Sequence, residues 1–172
     1  MTAAPNLDAA VLTTPVGPLA VIARDGVVVA SGFGDLADAV GRLDPRDAAP
    51  VRERIDLGSI SRAVADYSAG DLTALDEVPV AQPGGELLQR MWLELRGVRA
   101  GSTVSYSGLA ARAEHPTAVR LAGNACARNR VAPFVPCHRV VKADGSLGNY
   151  YYGADVKHAL LVHEGALDEL VI

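Results

Sequence analysis

The sequence Gln82-Pro83-Gly84-Gly85 divides the chain into two parts of different character. A proline followed by two glycines favours a turn or linker over the continuation of a helix or strand. Short runs of β-branched residues precede this break, and helical periodicity dominates after it. We therefore predict an α+β protein. A small N-terminal α/β domain, an antiparallel sheet with helices, would span residues 1–83, and a winged-helix-like C-terminal domain with a helix-turn-helix would span residues 84–172.

Turn signals separate the predicted elements of the first part. Asp25-Gly26, placed between two apolar runs, is a strong hairpin signal. Ser59 is positioned to cap a helix that ends near Gly70. Strands are predicted over residues 9–14, 19–23, 27–33 and 78–81, and a short helix over residues 36–43.

The second part is predicted to be mainly helical, with helices over residues 86–95, 106–113, 117–128 and 155–164. Ser105 precedes the second of these helices, and His115-Pro116-Thr117 ends it. Because only a brief turn separates the second and third helices, they form a helix-turn-helix candidate with residues 117–128 in the recognition position.

Charge is distributed unevenly along the 172 residues. The net charge is −4, but residues 90–142 contain nine Lys and Arg against only Glu94 and Glu114. A basic stretch in an acidic protein is typical of a surface that meets a polyanion, although an ordinary solvated arginine-rich face has the same composition. We find no signal peptide and no apolar run of membrane-spanning length, and we expect a cytoplasmic protein. Two cysteines make no disulfide framework, and we predict no metal and no cofactor.

The pattern with the most chemistry is Pro136-Cys137-His138-Arg139, which lies between apolar residues. The apolar flanks predict a short buried strand, on which Cys137 and His138 point to opposite faces. A bridging water would then link thiol and imidazole, with Glu164 orienting His138 and favouring its protonated form. The alternatives are a cysteine that only packs, a core histidine and a surface carboxylate.

Asn129 and Cys126, which lie a few residues before this pattern, also have roles that the sequence suggests. Asn129 follows the predicted recognition helix, where it could cap helix carbonyls or hold the turn beside Cys137. Cys126, among alanines, is predicted to be a small packing residue.

Eight short motifs occur in order along the chain: Thr14-Pro15-Val16-Gly17-Pro18-Leu19, Gln89-Arg90-Met91-Trp92, Val104-Ser105-Tyr106-Ser107-Gly108-Leu109-Ala110, Ala118-Val119-Arg120-Leu121-Ala122-Gly123-Asn124, Arg128-Asn129, Val135-Pro136-Cys137-His138-Arg139-Val140-Val141, Asp144-Gly145-Ser146-Leu147-Gly148-Asn149-Tyr150 and Leu160-Leu161-Val162-His163-Glu164-Gly165. Together they resemble the O6-alkylguanine-DNA alkyltransferases, also called methylated-DNA–protein-cysteine methyltransferases. The resemblance covers nearly the whole chain and is tightest over residues 104–165.

The resemblance implies a single, irreversible transfer of a methyl or other alkyl group from guanine O6 in double-stranded DNA to Cys137. It also implies base flipping, in which Arg120 replaces the extruded base and Tyr106 pushes on the 3′ phosphate. Self-association along DNA stays open. The implied catalytic residues are Cys137, His138, Glu164, Tyr106 and Asn129; the implied DNA-binding residues are Arg120, Tyr106, Thr117, Ala118, Ala122, Gly123, Asn124 and Arg128; and the implied pocket residues are Pro136, Val140, Tyr150 and Tyr151.

The sequence departs from the family pattern in three places. Arg130 stands where the family usually has proline, and residues 98–101 replace its usual Ile-Pro-Tyr-Gly. Tyr151 and Tyr152 replace glycine or another small residue, which bears on the size of the alkyl group that fits. The first part also lacks the zinc-cysteine pattern of the fused sensor type.

Two other functions compete with alkyl transfer. A non-catalytic winged-helix protein could recognise damaged DNA, but its relatives lack the cysteine found here as Cys137. A cysteine hydrolase could use Cys137 and His138, but two adjacent residues form a poor direct dyad, and no second histidine lies in a convincing motif.

Overall fold

The computed structural model describes Asn6–Asp168 and divides into two compact units. The first unit comprises the chain up to Pro83 together with Arg130–Phe134, and the second comprises Gly84–Asn129 and the chain from Val135 onward. The second domain predicted from the sequence was continuous. The structure instead assigns Arg130–Phe134 to the first unit, because these residues hydrogen-bond to its sheet.

The first unit is built on a four-stranded sheet in the order β3-β2-β1-β4. Neighbours among β1, β2 and β3 pair antiparallel, and β4 is parallel to β1. Asp25 and Gly26 both have positive φ, 52° and 80°, which is the backbone of a tight hairpin turn. The strands are β1 (Leu7–Thr14), β2 (Gly17–Arg24), β3 (Val27–Phe33) and β4 (Val51–Glu53), so the first three predicted strands are confirmed. The predicted strand at 78–81 is a single bridge between Val28 and Val80.

Two helices complete this unit, α1 (Leu36–Arg42) and α2 (Ser59–Ser68). The prediction that Ser59 caps α2 is wrong by one residue. The cap is Gly58, whose φ of 66° a glycine adopts without strain, and it makes no side-chain cap bond. The core joins the inner faces of the strands to α1 through Leu7, Ala9, Ala20, Ile22, Val29, Ala30 and Ala39.

Residues Arg130–Phe134 extend the outer edge of β3. The Ser31 backbone N–H donates to the Arg130 carbonyl at 2.8 Å, and its hydroxyl donates to the Ala132 carbonyl at 2.7 Å. The Arg130 N–H in turn donates to Gln82 Oε1 at 2.8 Å. Proline has no N–H, so the arginine at 130 makes a hydrogen bond that the family's usual proline could not.

The second unit contains α3 (Glu86–Arg96), β5 (Val104–Ser105), α4 (Tyr106–Arg112), α5 (Val119–Ala127), β6 (Val140–Val141) and α6 (Ala154–His163). Ser105 caps α4 as predicted, because its side chain accepts a hydrogen bond from the Gly108 N–H. Helix α5 begins two residues later than predicted, with Ala118 at its N-cap. The Trp92 indole donates to the Ala125 carbonyl at 2.9 Å and ties α3 to α5.

The predicted strand around Cys137 is wrong. Cys137–Arg139 form one turn of 3₁₀-helix, and only Val140–Val141 are extended. The Cys137 N–H turns back to the Val135 carbonyl at 2.9 Å, and the Arg139 N–H to the Pro136 carbonyl at 2.9 Å. Within Asn6–Asp168, no helix is both long and apolar enough to span a bilayer.

Candidate active site

A two-stranded parallel pairing brings Tyr106 close to the Cys137 turn. Val104 pairs with Val140 and Ser105 with Val141. Helix α4 starts directly after β5, and β6 starts directly after the Cys137 turn. Because the pairing is parallel, α4 leaves the same end of this short sheet as the turn that Lys142 opens, and the Cys137 turn enters at the other end, only two residues away.

A pocket of about 740 Å³ opens beside this junction. Cys137, which is 7% exposed, forms part of its wall. Two cations, Arg120 and Lys142, are present in the wall, and none of the described lining residues is a carboxylate. The pocket is lined by Tyr106, Val119, Arg120, Gly123, Cys126, Ala127, Cys137, Lys142, Asn149, Tyr150 and Tyr151.

Three buried polar residues form a network next to Cys137. A hydrogen bond of 2.9 Å joins His138 Nε2 to Glu164 Oε2. Arg139 donates two hydrogen bonds to the same carboxylate, from Nε to Oε1 at 2.8 Å and from a terminal nitrogen to Oε2 at 3.0 Å. The other Arg139 terminal nitrogen donates to the Val98 carbonyl at 2.6 Å. Glu164 is therefore the acid that orients His138, as the sequence indicated, and it is not a surface carboxylate.

The charge state of His138 differs from the expectation. Burial lowers the pKa of His138, and this effect outweighs the hydrogen bond and charge of Glu164, which raise it. Burial would also raise the pKa of Glu164, but hydrogen bonds and charge from His138 and Arg139 hold it well below its usual range. Glu164 favours protonated His138, as we expected, but burial has the larger effect and favours the neutral imidazole, and the Arg139 charge adds to it.

One ring nitrogen of the neutral His138 imidazole is available to accept a proton. With Nε2–H donating to Glu164, Nδ1 carries the lone pair. That buried Nδ1 has no hydrogen-bond partner among the described residues. His138 can therefore accept a proton at Nδ1 while Glu164 stabilises the resulting imidazolium.

Lys157 is a functional candidate that the sequence reasoning missed. It is fully buried on α6, and its ammonium donates to the Val140 carbonyl at 2.6 Å and to the Asn149 carbonyl at 3.4 Å. Burial lowers the pKa of Lys157, while the nearby Cys126 and Cys137 thiols act to raise it. A signal was present, because Lys157 lies four residues before Leu161 and seven before Glu164, on the buried stripe of the helix.

Two further groups in the wall resist ionisation. Burial, with smaller effects from Cys126 and Cys137, raises the pKa of the Tyr106 hydroxyl. Burial also raises the pKa of Cys126, with Cys137 adding to the effect. Tyr106 is thus a donor near neutral pH and Cys126 an unreactive thiol, which fits the packing role predicted for Cys126.

Asn129 holds the turn before Cys137, the second of its two predicted roles. Its side-chain amide donates to the Val135 carbonyl at 2.8 Å, the same oxygen that accepts the Cys137 N–H. The Asn129 N–H bonds the Cys126 carbonyl at 3.3 Å at the end of α5. One buried residue therefore links the end of α5 to the Cys137 turn.

The residues predicted to contact DNA divide by exposure. The exposed ones are Thr117, Arg120, Asn124 and Arg128, while Ala118, Gly123 and Tyr106 are half-buried. Ala122 is completely buried, so the prediction that it contacts DNA does not fit the structure. Its small side chain packs inside the unit instead.

The predicted pocket residues differ in whether they line the pocket. Tyr150 and Tyr151 line the pocket, whereas Pro136 and Val140 are buried behind it. The Tyr150 ring meets His138 edge-on at 6.4 Å and Tyr152 at 5.5 Å, and Tyr152 meets Tyr151 at 4.9 Å. Tyr151, which is 67% exposed, stands at the outer end of this series. In the described part of the chain, no three His, Cys, Asp or Glu residues cluster closely enough to hold a metal ion.

Comparison with known proteins gives a consistent result. The family model described as "6-O-methylguanine DNA methyltransferase, DNA binding domain" matches residues 86–166. A methylated-DNA–protein-cysteine methyltransferase of Salmonella typhimurium is 32% identical over 161 residues, covering 91% of this chain and 94% of the relative. One from Mus musculus is 47% identical over 88 residues, covering 51% of this chain and 42% of the relative. The crystal structure of Mycobacterium tuberculosis OGT in complex with DNA has a TM-score of 0.78 at 28% identity, covering 92% of this chain and 93% of that one.

Proposed function

Because the chain belongs to the methylated-DNA–protein-cysteine methyltransferases, it repairs DNA by direct reversal, and we propose that Cys137 is the residue that accepts the alkyl group. The observation that carries this proposal is a buried thiol in a pocket wall, next to the His138–Glu164 pair. Sulfur attacks the alkyl carbon, so a C–S bond forms as the bond from carbon to guanine O6 breaks. The thioether product is not hydrolysed, and each molecule therefore reacts once.

His138 removes the proton from the thiol. The Nδ1 lone pair accepts it through one water molecule, since the two residues are adjacent on a tight turn. Glu164 and Arg139 hold the imidazole in place while it gains charge. The nearby Lys157 ammonium supplies positive charge that favours the thiolate.

The leaving guanine needs a proton, and Tyr106 is the donor in the pocket wall. Its raised pKa keeps the phenol protonated near neutral pH. As the C–O6 bond breaks, negative charge develops on the base, and a hydrogen bond from Tyr106 stabilises that charge. Guanine takes the Tyr106 proton and leaves as the ordinary base within the DNA, and the proton that His138 took from the thiol returns to the Tyr106 oxygen through solvent.

DNA is the partner, and α4, the turn and α5 are the helix-turn-helix that we propose to bind it. Arg120 and Asn124 are exposed on α5, Arg128 is exposed at its end, and Arg120 also lines the pocket. Because Arg120 is both exposed on α5 and part of the pocket wall, its side chain is suited to fill the space that a guanine leaves in the duplex when it flips into the pocket. The substrate would then be double-stranded DNA that carries O6-alkylguanine.

Neither competing function explains this site as well. A protein that only recognises damage has no need for a thiol with a base and an orienting acid. A hydrolase would need to regenerate the thiol, and no second base for that step lines the pocket within the described residues.

Intact mass spectrometry tests the acceptor. After mixing with a duplex containing one O6-methylguanine, we expect a gain of about 14 Da, one CH₂, on the peptide containing Cys137. Cys137→Ala should abolish the gain but still bind DNA, whereas Cys126→Ala, which alters the other thiol of the same pocket, should keep it. A methyl group found on Cys126, or on the Cys137→Ala protein, would refute the proposal.

The role of Arg120 is tested by comparing two substrates. Arg120→Ala should slow reaction with duplex DNA by more than tenfold, because a flipped base leaves a gap that costs stacking energy. Reaction with free O6-benzylguanine should change little. Arg112→Ala, at the end of α4, is the control for general loss of charge. Equal losses on both substrates would show that Arg120 is structural.

A further inference from the structure

The two lysines of this arginine-rich chain have contrasting positions. Lys157 is completely buried, whereas Lys142 is exposed and forms part of the pocket wall. The proposed reaction accounts for Lys157 but gives no role to Lys142.

The backbone fixes where Lys142 projects. It directly follows β6 and opens a tight turn, in which its N–H donates to the Ser146 carbonyl at 2.9 Å and its carbonyl accepts the Gly145 N–H at 2.9 Å. Asp144 is on the same turn, but one carboxylate oxygen already accepts the Ser146 N–H at 2.9 Å and the Ser146 hydroxyl at 2.6 Å. These bonds hold the pKa of Asp144 below its usual range and the Lys142 charge adds a smaller effect, so the lysine that forms part of the pocket wall also has an acid near it.

Gly148 brings Lys142 and Tyr106 together. A Cβ at Gly148 would lie 3.3 Å from the Tyr106 hydroxyl and 3.5 Å from Lys142 Cγ. The hydroxyl and the lysine stem therefore flank the same glycine on one side of the pocket. The φ of +75° at Gly148 and this close approach together favour glycine at that position.

We propose that Lys142 binds one phosphate of the DNA strand at the mouth of the pocket, beside the Tyr106 hydroxyl. This inference rests on the proposed function and adds a contact outside the helix-turn-helix. A flexible ammonium is a common phosphate donor, and none of the described lining residues is a carboxylate that would compete. The phosphate is held on the side of the pocket formed by the loop after β6, where it positions the strand that carries the flipped nucleotide.

Lysine-selective acetylation gives a direct test. Lys142 should react with an N-hydroxysuccinimide ester and Lys157 should not. The Cys137→Ala protein bound to the O6-methylguanine duplex should show Lys142 acetylated at least about fivefold more slowly, because a phosphate would cover the amine. Unchanged labelling of Lys142 in the complex would overturn the proposal.

Salt dependence gives a second, independent test. Lys142→Ala should reduce the slope of log affinity against log salt by about 0.9, the value expected for one lost phosphate contact, and Lys142→Arg should restore it. Arg62→Ala, an exposed cation on α2, should leave the slope unchanged. Reaction with free O6-methylguanine, which has no phosphate, should fall less in Lys142→Ala than reaction with the duplex does.

The outcomes distinguish a failure of the phosphate contact from a failure of the proposed function. A wild-type slope in Lys142→Ala, or an equal loss of reaction with the free base, would overturn the phosphate contact alone. Absence of methyl transfer to Cys137 in the wild-type protein would instead overturn the proposed function.

Discussion

The two units bury polar side chains for different purposes. In the described part of the first unit, the buried polar residues are Ser31, Asp44 and Gln82, and each contacts Arg130–Phe134. Ser31 bonds the Ala132 carbonyl, Gln82 bonds the Arg130 N–H, and Asp44 lies 3.7 Å from the Arg130 guanidinium. These groups fix the path of the chain just before Val135.

The second unit buries charge around Cys137, the proposed acceptor. Its buried polar residues, within the described range, are Asn129, His138, Arg139, Lys157 and Glu164. They contact the Cys137 turn, the strand after it, or one another. A buried polar group must find a partner, so each one limits the backbone to few arrangements. The buried polar groups of the first unit therefore hold the chain that precedes Cys137, whereas those of the second unit set the charges near its thiol.

The largest expected effect is on the charged network of the second unit. Glu164→Gln removes the carboxylate that His138 and Arg139 share and leaves a buried guanidinium without an acid. Breaking a buried ion pair in this way typically costs about 3–5 kcal/mol of unfolding free energy.

Urea denaturation of Glu164→Gln and Glu94→Gln checks this expectation. Glu94 is the matched control because its ion pair with Arg90 is partly exposed and long, at 3.9 Å, and surface pairs contribute about 0–1 kcal/mol. Similar losses in the two variants would contradict the view that the network around the acceptor dominates the second unit.

Local patterns in the sequence predicted much of the fold, and the reason is periodicity. β1, β2 and β3 follow from β-branched runs around Asp25-Gly26, and α4 follows from its Ser105 cap. The Cys137 turn was mistaken for a strand because apolar flanks indicate burial and not backbone shape. Short buried runs are ambiguous in this way.

The site was predicted only in part, because three-dimensional contacts decide the rest. The motifs single out Cys137, His138 and Glu164, and the structure bonds His138 to Glu164, but the complete burial that lowers the pKa of His138 is set by the tertiary structure. The pairing of Arg130 with Gln82 joins residues far apart in the chain, and no local pattern predicts it.

A smaller effect is expected in the first unit. Gln82→Ala leaves the Arg130 N–H without its 2.8 Å acceptor, and an unsatisfied partly buried donor costs about 1–3 kcal/mol. Gln89→Ala, at an exposed position of α3, is the control and should change stability little. Thermal or urea denaturation measures both.

A double-mutant cycle sharpens this test. Arg130→Pro removes the same donor, so Gln82→Ala should cost less in the Arg130→Pro background than in the wild type. A coupling energy near zero would mean that Gln82 does not hold this segment. The buried polar residues of the first unit would then not have the role that distinguishes them from those of the second unit.

The smallest expected effect is a dependence of stability on pH between 7.5 and about 5 that arises from the second unit. The pKa of His138 in the folded protein lies below its ordinary value of 6.5 because the imidazole is buried. The unfolded chain therefore binds more protons below pH 6.5, and stability falls as pH falls, by at most about 1.4 kcal/mol per pH unit for one proton. The lowered pKa of Glu164 acts in the same direction but only below its ordinary value of 4.5.

Denaturation between pH 7.5 and about 5 tests this dependence. Wild type and His115→Gln, an exposed histidine control, should lose stability as pH falls, and His138→Gln should lose less. Hydrogen exchange should show the loss of protection in peptides spanning residues 137–141 and 154–164, while β1–β3 are unchanged. A pH-dependent loss spread equally over both units would show that the buried charges near Cys137 do not set the response.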